Sequence, residues 1–128
     1  MIKDRSSTLL TQNGGYDFLG HHLIASYVDC DSMALNDQVA LVAAMEKAVK
    51  ASGATLLDSA KHVFPSGGLT MVLLLAESHA SIHTYPEHNA CFVDLFTCGE
   101  SCSVENFDAV LTAYLCPKVA HRKILIRD

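Results

Sequence analysis

The most informative stretch of the chain, residues 69–97, reads LTMVLLLAESHASIHTYPEHNACFVDLFT. Three runs within it, 69–77, 80–84 and 90–97, are rich in apolar and β-branched residues and are separated by short polar segments. Such runs are typical of strands, and their spacing predicts three strands that follow one another closely.

Outward from this stretch, the remaining segments carry alternating strand and helix signals. They are a strand over 18–28, a helix from an N-cap at Asn36 to Gly53, extended pieces at 55–57 and 62–64, a helix from Ser103 to Pro117, and a strand over 119–126. Val39 and Met45 belong to the apolar stripe of the first helix. The order predicts an α+β fold, a two-layer sandwich in which two helices cover one face of a mostly antiparallel sheet.

The other face of such a sheet needs a cover, because a large exposed apolar face usually belongs to an interface. Two copies of the chain would cover each other in a symmetric homodimer. Residues 1–17 predict a flexible polar leader, and residues 18–128 predict a single domain.

Composition excludes several classes of function. Of the 128 residues, 50% are hydrophobic and 18% are charged, which is typical of a folded chain, and the net charge of −5 gives no support to binding of nucleic acid or an anionic membrane. The longest apolar run, 69–76, is far shorter than the roughly 20 residues that span a bilayer. The N-terminus lacks the apolar region of a signal peptide, so we expect a cytoplasmic protein whose five cysteines are reduced.

Reactive side chains are concentrated between residues 64 and 99. Ser78 lies at the end of an apolar strand, and His83 follows five residues later, so that a tight turn or bulge could bring the two together. The residues alone leave three interpretations open. They are a hydrolase nucleophile and base without the usual glycine elbow, a metal site without a recognised ligand spacing, and a cluster of hydrogen-bonded polar side chains. We predict no bound metal.

Two longer motifs resemble a known family. Residues 77–87, ESHASIHTYPE, resemble the ESHxSxHTWPE signature of bacterial and archaeal S-adenosylmethionine decarboxylases. Residues 94–99, DLFTCG, resemble the D-x-F-T-C-G motif of the same family at the family's distance. Shorter matches, which include Gly53-Ala54-Thr55, extend the resemblance over about residues 20–126.

The resemblance implies a proenzyme that cuts itself between Glu77 and Ser78. Ser78 then becomes a pyruvoyl group, which forms a Schiff base with the substrate amine and acts as an electron sink for decarboxylation. By similarity His83 serves in the processing step, and Thr70, where the family has a serine, supports it. Cys98 is the expected proton donor, which suits a thiol because thiols are mostly protonated at neutral pH.

Substrate-binding residues also follow from the resemblance. Phe64 is expected to stack on the adenine of S-adenosylmethionine, and Glu87 to accept its ribose hydroxyls. The product would supply polyamine (spermidine) synthesis. Thr70, Met71 and Tyr85 depart from the family's serine, glycine and tryptophan. Two alternatives stay open: a pyruvoyl-dependent decarboxylase of ornithine or arginine, and a paralogue that does not process and binds or regulates instead.

Overall fold

Six strands form one antiparallel sheet in the computed structural model, which describes residues 18–98 and 101–128. The strands are β1 (Gly20–Val28), β2 (Leu56–Val63), β3 (Leu69–Leu75), β4 (Ser78–Tyr85), β5 (Ala90–Thr97) and β6 (Val119–Arg127). Their spatial order is β2-β3-β4-β5-β1-β6, and every neighbouring pair is antiparallel. The predicted leader, residues 1–17, lies outside the described residues.

The helices are α1 (Ser32–Asn36), α2 (Gln38–Ser52) and α3 (Val104–Leu115), and Pro86–His88 form a single 3-10 turn. Leu41 and Met45 of α2 and Phe107 and Leu111 of α3 are fully buried in one core with the inward residues of the sheet. The predicted α+β two-layer sandwich is therefore confirmed, because both long helices contribute to the same core on one face of the sheet.

The predicted N-cap of the first long helix is wrong, because Asn36 belongs to a separate short helix that precedes it. Asn36 is the last residue of α1, and Asp37 is the N-cap of α2, where its side chain accepts from the Ala40 N–H at 3.0 Å. Val39, assigned to the apolar stripe, is 83% exposed, whereas Met45 of the same predicted stripe is fully buried.

The two extended pieces predicted before residue 65 are one strand, β2, paired along its length with β3. All eight of its residues are exposed, because β2 lies at the edge of the sheet. This strand is defined by its main-chain pairing with β3. Because its side chains bury little surface, its sequence lacks the alternation of apolar and polar residues on which strand prediction depends.

No turn or bulge brings Ser78 and His83 together, contrary to expectation. Strand β4 pairs with β5 in unbroken register from Ser78 opposite Thr97 to Tyr85 opposite Ala90. Five residues of extended strand span about 17 Å. His83, the predicted processing residue, and Ser78 therefore lie towards opposite ends of β4.

The face of the sheet away from the helices is open and carries apolar as well as polar side chains. Ile24, Val72, Leu74 and Phe92 lie on it and are each between 44% and 53% exposed. Among the described residues, no helix is long and apolar enough to cross a membrane.

Candidate active site

The Glu77–Ser78 bond lies at the turn between β3 and β4, beside the end of β5. Because β4 and β5 are neighbours, the residue that follows β5, Cys98, reaches this turn. The Cys98 N–H donates to the main-chain oxygen of Glu77 at 3.3 Å, and the Ser78 hydroxyl lies 4.0 Å from the Cys98 thiol. Three of the predicted site residues, Glu77, Ser78 and Cys98, are thus brought together.

This arrangement has the groups that an acyl transfer needs. A carbonyl oxygen that accepts an N–H is held in the position where negative charge develops when a nucleophile adds to the carbonyl carbon. The nearest hydroxyl along the chain is that of Ser78 itself, and the thiol of Cys98 adjoins it.

A second group of predicted site residues meets around a different cavity. Phe64, Thr70, His83 and Glu87 all line a cavity of about 240 Å³ at the other end of β4. Thr70 lies opposite His83 in the pairing of β3 with β4, and its Oγ1 is hydrogen-bonded to His83 Nδ1 at 3.1 Å. This group contains every residue that the sequence assigns to substrate binding and processing support.

The two groups are separate within one chain. About 17 Å of strand divides Ser78 from His83, so the histidine of one chain does not reach the serine of the same chain.

A polar network lies on the open face between these groups. Asp94 accepts from Ser81 and lies 2.7 Å from His22 Nε2 and 3.4 Å from His79 Nε2. Burial acts to raise the pKa of the Asp94 carboxyl, but hydrogen bonds from Ser81 and His22 and the charge of His79 outweigh it, so this pKa lies below its usual value.

The nitrogen and oxygen atoms of His22, His79 and Asp94 lie within 4.8 Å of one another, which is a separation that a metal ion could bridge. Arg127 contacts His22 Nδ1 at 3.4 Å, where the guanidinium can only donate. Hydrogen bonds of Asp94 with Ser81 and His22 join these side chains in one network.

Some features of the site are not indicated by the sequence patterns. Thr55 contacts the Glu77 side chain, and Thr97, directly opposite Ser78, has a buried hydroxyl without a hydrogen-bond partner among the described residues. The family-like run Gly53-Ala54-Thr55 is the one signal that could have pointed to Thr55. A larger cavity, about 520 Å³, is a groove between α2 and α3 that is lined mainly by alanines and contains none of the predicted site residues.

The fold and the site together define a class: an α+β sandwich in which a serine and a thiol flank a polarised peptide bond. The family described as S-adenosylmethionine decarboxylase matches residues 21–128, and the chain belongs to this family.

Curated relatives agree with the family assignment. The S-adenosylmethionine decarboxylase proenzyme of Pyrobaculum aerophilum is 44% identical over 88 residues, which are 68% of this chain and 70% of the relative. The protein of the same description from Methanococcus aeolicus is 42% identical over 99 residues, 77% of this chain and 85% of the relative. A crystal structure of the adenosylmethionine decarboxylase from Aquifex aeolicus has a TM-score of 0.77 at 33% identity, covering 84% of this chain and 88% of that one.

Proposed function

We propose that this chain cuts itself between Glu77 and Ser78 and uses the resulting pyruvoyl group to decarboxylate S-adenosylmethionine for polyamine synthesis. The observation that carries this proposal is the contact set at the bond: the Cys98 N–H on the Glu77 carbonyl and the Cys98 thiol beside the Ser78 hydroxyl. Relatives that are 42–44% identical are described as proenzymes of this activity.

Self-cleavage begins when the Ser78 oxygen adds to the carbonyl carbon of Glu77. The C–N bond then breaks, and an ester forms between Glu77 and the Ser78 side chain. The proton of the hydroxyl passes to the nitrogen, which becomes the free amine of Ser78. The Cys98 N–H stabilises the oxyanion of the addition step, as backbone donors do in other acyl transfers.

The second stage removes the ester. A base takes the Cα proton of Ser78, the Cβ–Oγ bond breaks, and Glu77 leaves as a carboxylate. Water replaces the nitrogen of the dehydroalanine, ammonia is released, and a pyruvoyl group remains at the start of the chain 78–128. The proposed base is His83, an imidazole suited to proton transfer near neutral pH.

In the mature protein, the pyruvoyl group supplies an electron sink for the carbanion that forms when carbon dioxide leaves. Cys98 then delivers a proton to the substrate carbon. Its thiol lies 4.0 Å from the Ser78 oxygen, so it is next to the place where that carbon is held. Phe64 and Glu87, which line one cavity, hold the adenine and the ribose.

A homodimer reconciles the two separated groups of residues. The open face carries Ile24, Val72, Leu74 and Phe92 half exposed, and a second copy would bury them. In a symmetric pair, the Ser78 group of one chain can meet the His83 group of its partner. Replacing Leu74 with Glu should therefore give monomers in sedimentation experiments, whereas a stable Leu74→Glu dimer would contradict the use of this face.

Intact mass of the purified chain tests the proposal. Cleavage predicts two chains, 1–77 and 78–128, the second with a blocked N-terminus, and Ser78→Ala should stay whole. Carbon dioxide release should be seen with S-adenosylmethionine. A chain that stays uncut after long incubation, or one that turns over ornithine or arginine in place of S-adenosylmethionine, would contradict the proposal.

We also propose a cytoplasmic location. All five cysteines are free thiols, which fits a reducing compartment. Cell fractionation followed by immunodetection tests it, and recovery in an extracellular or membrane fraction would contradict it.

A further inference from the structure

The residue before the proposed cleavage bond is held by its side chain as well as by its carbonyl. The Thr55 N–H donates to Glu77 Oε1 at 2.9 Å, and the Thr55 hydroxyl donates to Oε2 at 3.4 Å. The Ala76 N–H donates in turn to the Thr55 carbonyl at 2.9 Å. Thr55 thus contacts both Ala76 and Glu77, the two residues that precede the proposed cleavage bond.

Thr55 is itself fixed by the end of α2. Gly53 ends the helix at φ 90°, and its N–H donates to the Lys50 carbonyl at 3.0 Å. A Cβ at Gly53 would lie 2.9 Å from the Ser101 carbonyl oxygen, so the approach of these two segments requires glycine. The Ser103 N–H donates to the Ser52 carbonyl at 2.8 Å, which ties the same corner to the start of α3.

We propose that Thr55 is a positioning residue for self-cleavage. Its two donors anchor the Glu77 carboxylate, and the Cys98 N–H anchors the Glu77 carbonyl oxygen, so the carbonyl carbon between these anchors cannot turn away from the Ser78 hydroxyl. This inference rests on the proposed self-cleavage and assigns its first step, the shift of the acyl group from nitrogen to oxygen. Such a step depends steeply on alignment of the reacting atoms.

The contacts of Thr55 with the Glu77 carboxylate form a clamp. The step that this clamp is proposed to assist, the acyl shift, is an internal transfer and needs no further reactant. The Oγ–C bond to Glu77 forms and the C–N bond breaks, while the hydroxyl proton passes to the departing nitrogen. Thr55 takes no part in these bond changes. It restricts the rotation of Glu77, which is why loss of the clamp should slow the acyl shift and leave the later elimination untouched.

The experiment compares the self-cleavage rate of the full chain with that of Glu77→Ala and Glu77→Gln, followed by intact mass from the time of synthesis. Glu77→Ala removes both acceptors and should cut about tenfold more slowly, because hydrogen bonds to a charged group are lost. Glu77→Gln keeps an oxygen that can accept from the Thr55 N–H and should recover most of the rate. Thermal unfolding of the same substitutions in the uncut Ser78→Ala chain checks that the fold persists.

Hydroxylamine shows which of the two stages of self-cleavage has become slow. It attacks the ester and so completes cleavage in any variant that is slow only at elimination. For Glu77→Ala we expect hydroxylamine to leave the slow rate unchanged, since little ester forms. Recovery of the full rate with hydroxylamine, or a Glu77→Ala rate within twofold of the unaltered chain, would overturn the role of Thr55. An unaltered chain that never cuts would instead remove the proposed function itself.

Discussion

Cys98 offers two different groups to the Glu77–Ser78 turn, and they can be separated by mutation. The main-chain N–H contacts the Glu77 carbonyl, whereas the thiol faces the Ser78 hydroxyl. The Cys98→Ala chain keeps the first group and loses the second. We therefore expect it to cut itself, yet to decarboxylate about 100-fold more slowly, the usual size of a lost proton donor.

Intact mass and carbon dioxide release on one preparation of Cys98→Ala measure the two effects. Normal turnover per cleaved chain would show that the thiol is not the proton donor. Absence of cleavage would show that the side chain, and not the amide, acts in processing.

Thr97 carries the single buried side-chain oxygen without a hydrogen-bond partner among the described residues. An unsatisfied buried polar group costs about 1–3 kcal/mol. Thr97→Val has nearly the same shape and removes the hydroxyl, so it should stabilise the uncut Ser78→Ala chain by about 1 kcal/mol. Denaturant unfolding measures this, and a loss of stability would mean that the hydroxyl has a partner in the folded protein.

At the scale of elements, the polar network on the open face joins four neighbouring strands. His22 of β1, His79 and Ser81 of β4, and Arg127 of β6 surround Asp94 of β5 directly or through His22. Since the pKa of Asp94 is lower in the folded chain than its usual value, its ionised form stabilises the fold. That contribution is complete above about pH 4, the unfolded pKa, and is lost as the pH falls through the lower folded value.

Asp94→Asn should therefore destabilise the uncut chain at pH 7 by about 1–3 kcal/mol, as expected for hydrogen bonds to a charged group. The difference from the parent should shrink as the pH falls below about 4. Denaturant unfolding of both chains across this range is the measurement. A difference that stays constant down to pH 2 would mean that the carboxylate charge contributes nothing.

Most strands were predicted close to their observed bounds, including β6 at one edge of the sheet, whereas β2 at the other edge was predicted only as two separate pieces. Strand β5 has the predicted bounds, because Cys91, Val93 and Leu95 alternate into the core. Strand β2 has no buried face, so only its pairing with β3 identifies it. The short helix α1 depends on the Asp31 side chain capping the Ala34 N–H, and this local hydrogen bond competes with the longer helix that the apolar period suggests.

The candidate site also has a part that the sequence could predict and a part that it could not. Side chains with proposed chemical roles, such as Ser78, Cys98 and Glu87, lie in long motifs, and the roles were inferred from these motifs. The Thr55 and Cys98 N–H groups act through the main chain, which has the same donor at every residue. Only the fold brings these two donors to Glu77, so the motifs that contain Thr55 and Cys98 do not reveal what their main-chain N–H groups contact.

At the scale of the whole molecule, the two groups of candidate site residues lie towards opposite ends of β4, and the open face carries half-exposed apolar side chains beside the polar network. The Ser78 group and the His83 group lie about 17 Å apart along the strand. In the proposed dimer, a two-fold axis that runs across the strands of the open face would turn one chain end over end relative to the other. Each Ser78 group would then lie near the partner's His83 group, which would give two equivalent sites for each dimer.

Mixed dimers test this sharing of the site. A Ser78→Ala chain and a His83→Ala chain, each carrying a different tag, should both stay uncut when expressed alone. When they are expressed together, the Ser78 group of the His83→Ala chain faces an intact His83, so this chain should be cut in the mixed dimer. A mixture with the double variant Ser78→Ala/His83→Ala is the matched control and should give no cleavage. If the mixed dimer forms and stays whole, His83 acts within its own chain, and the strand would have to bend for it to reach Ser78.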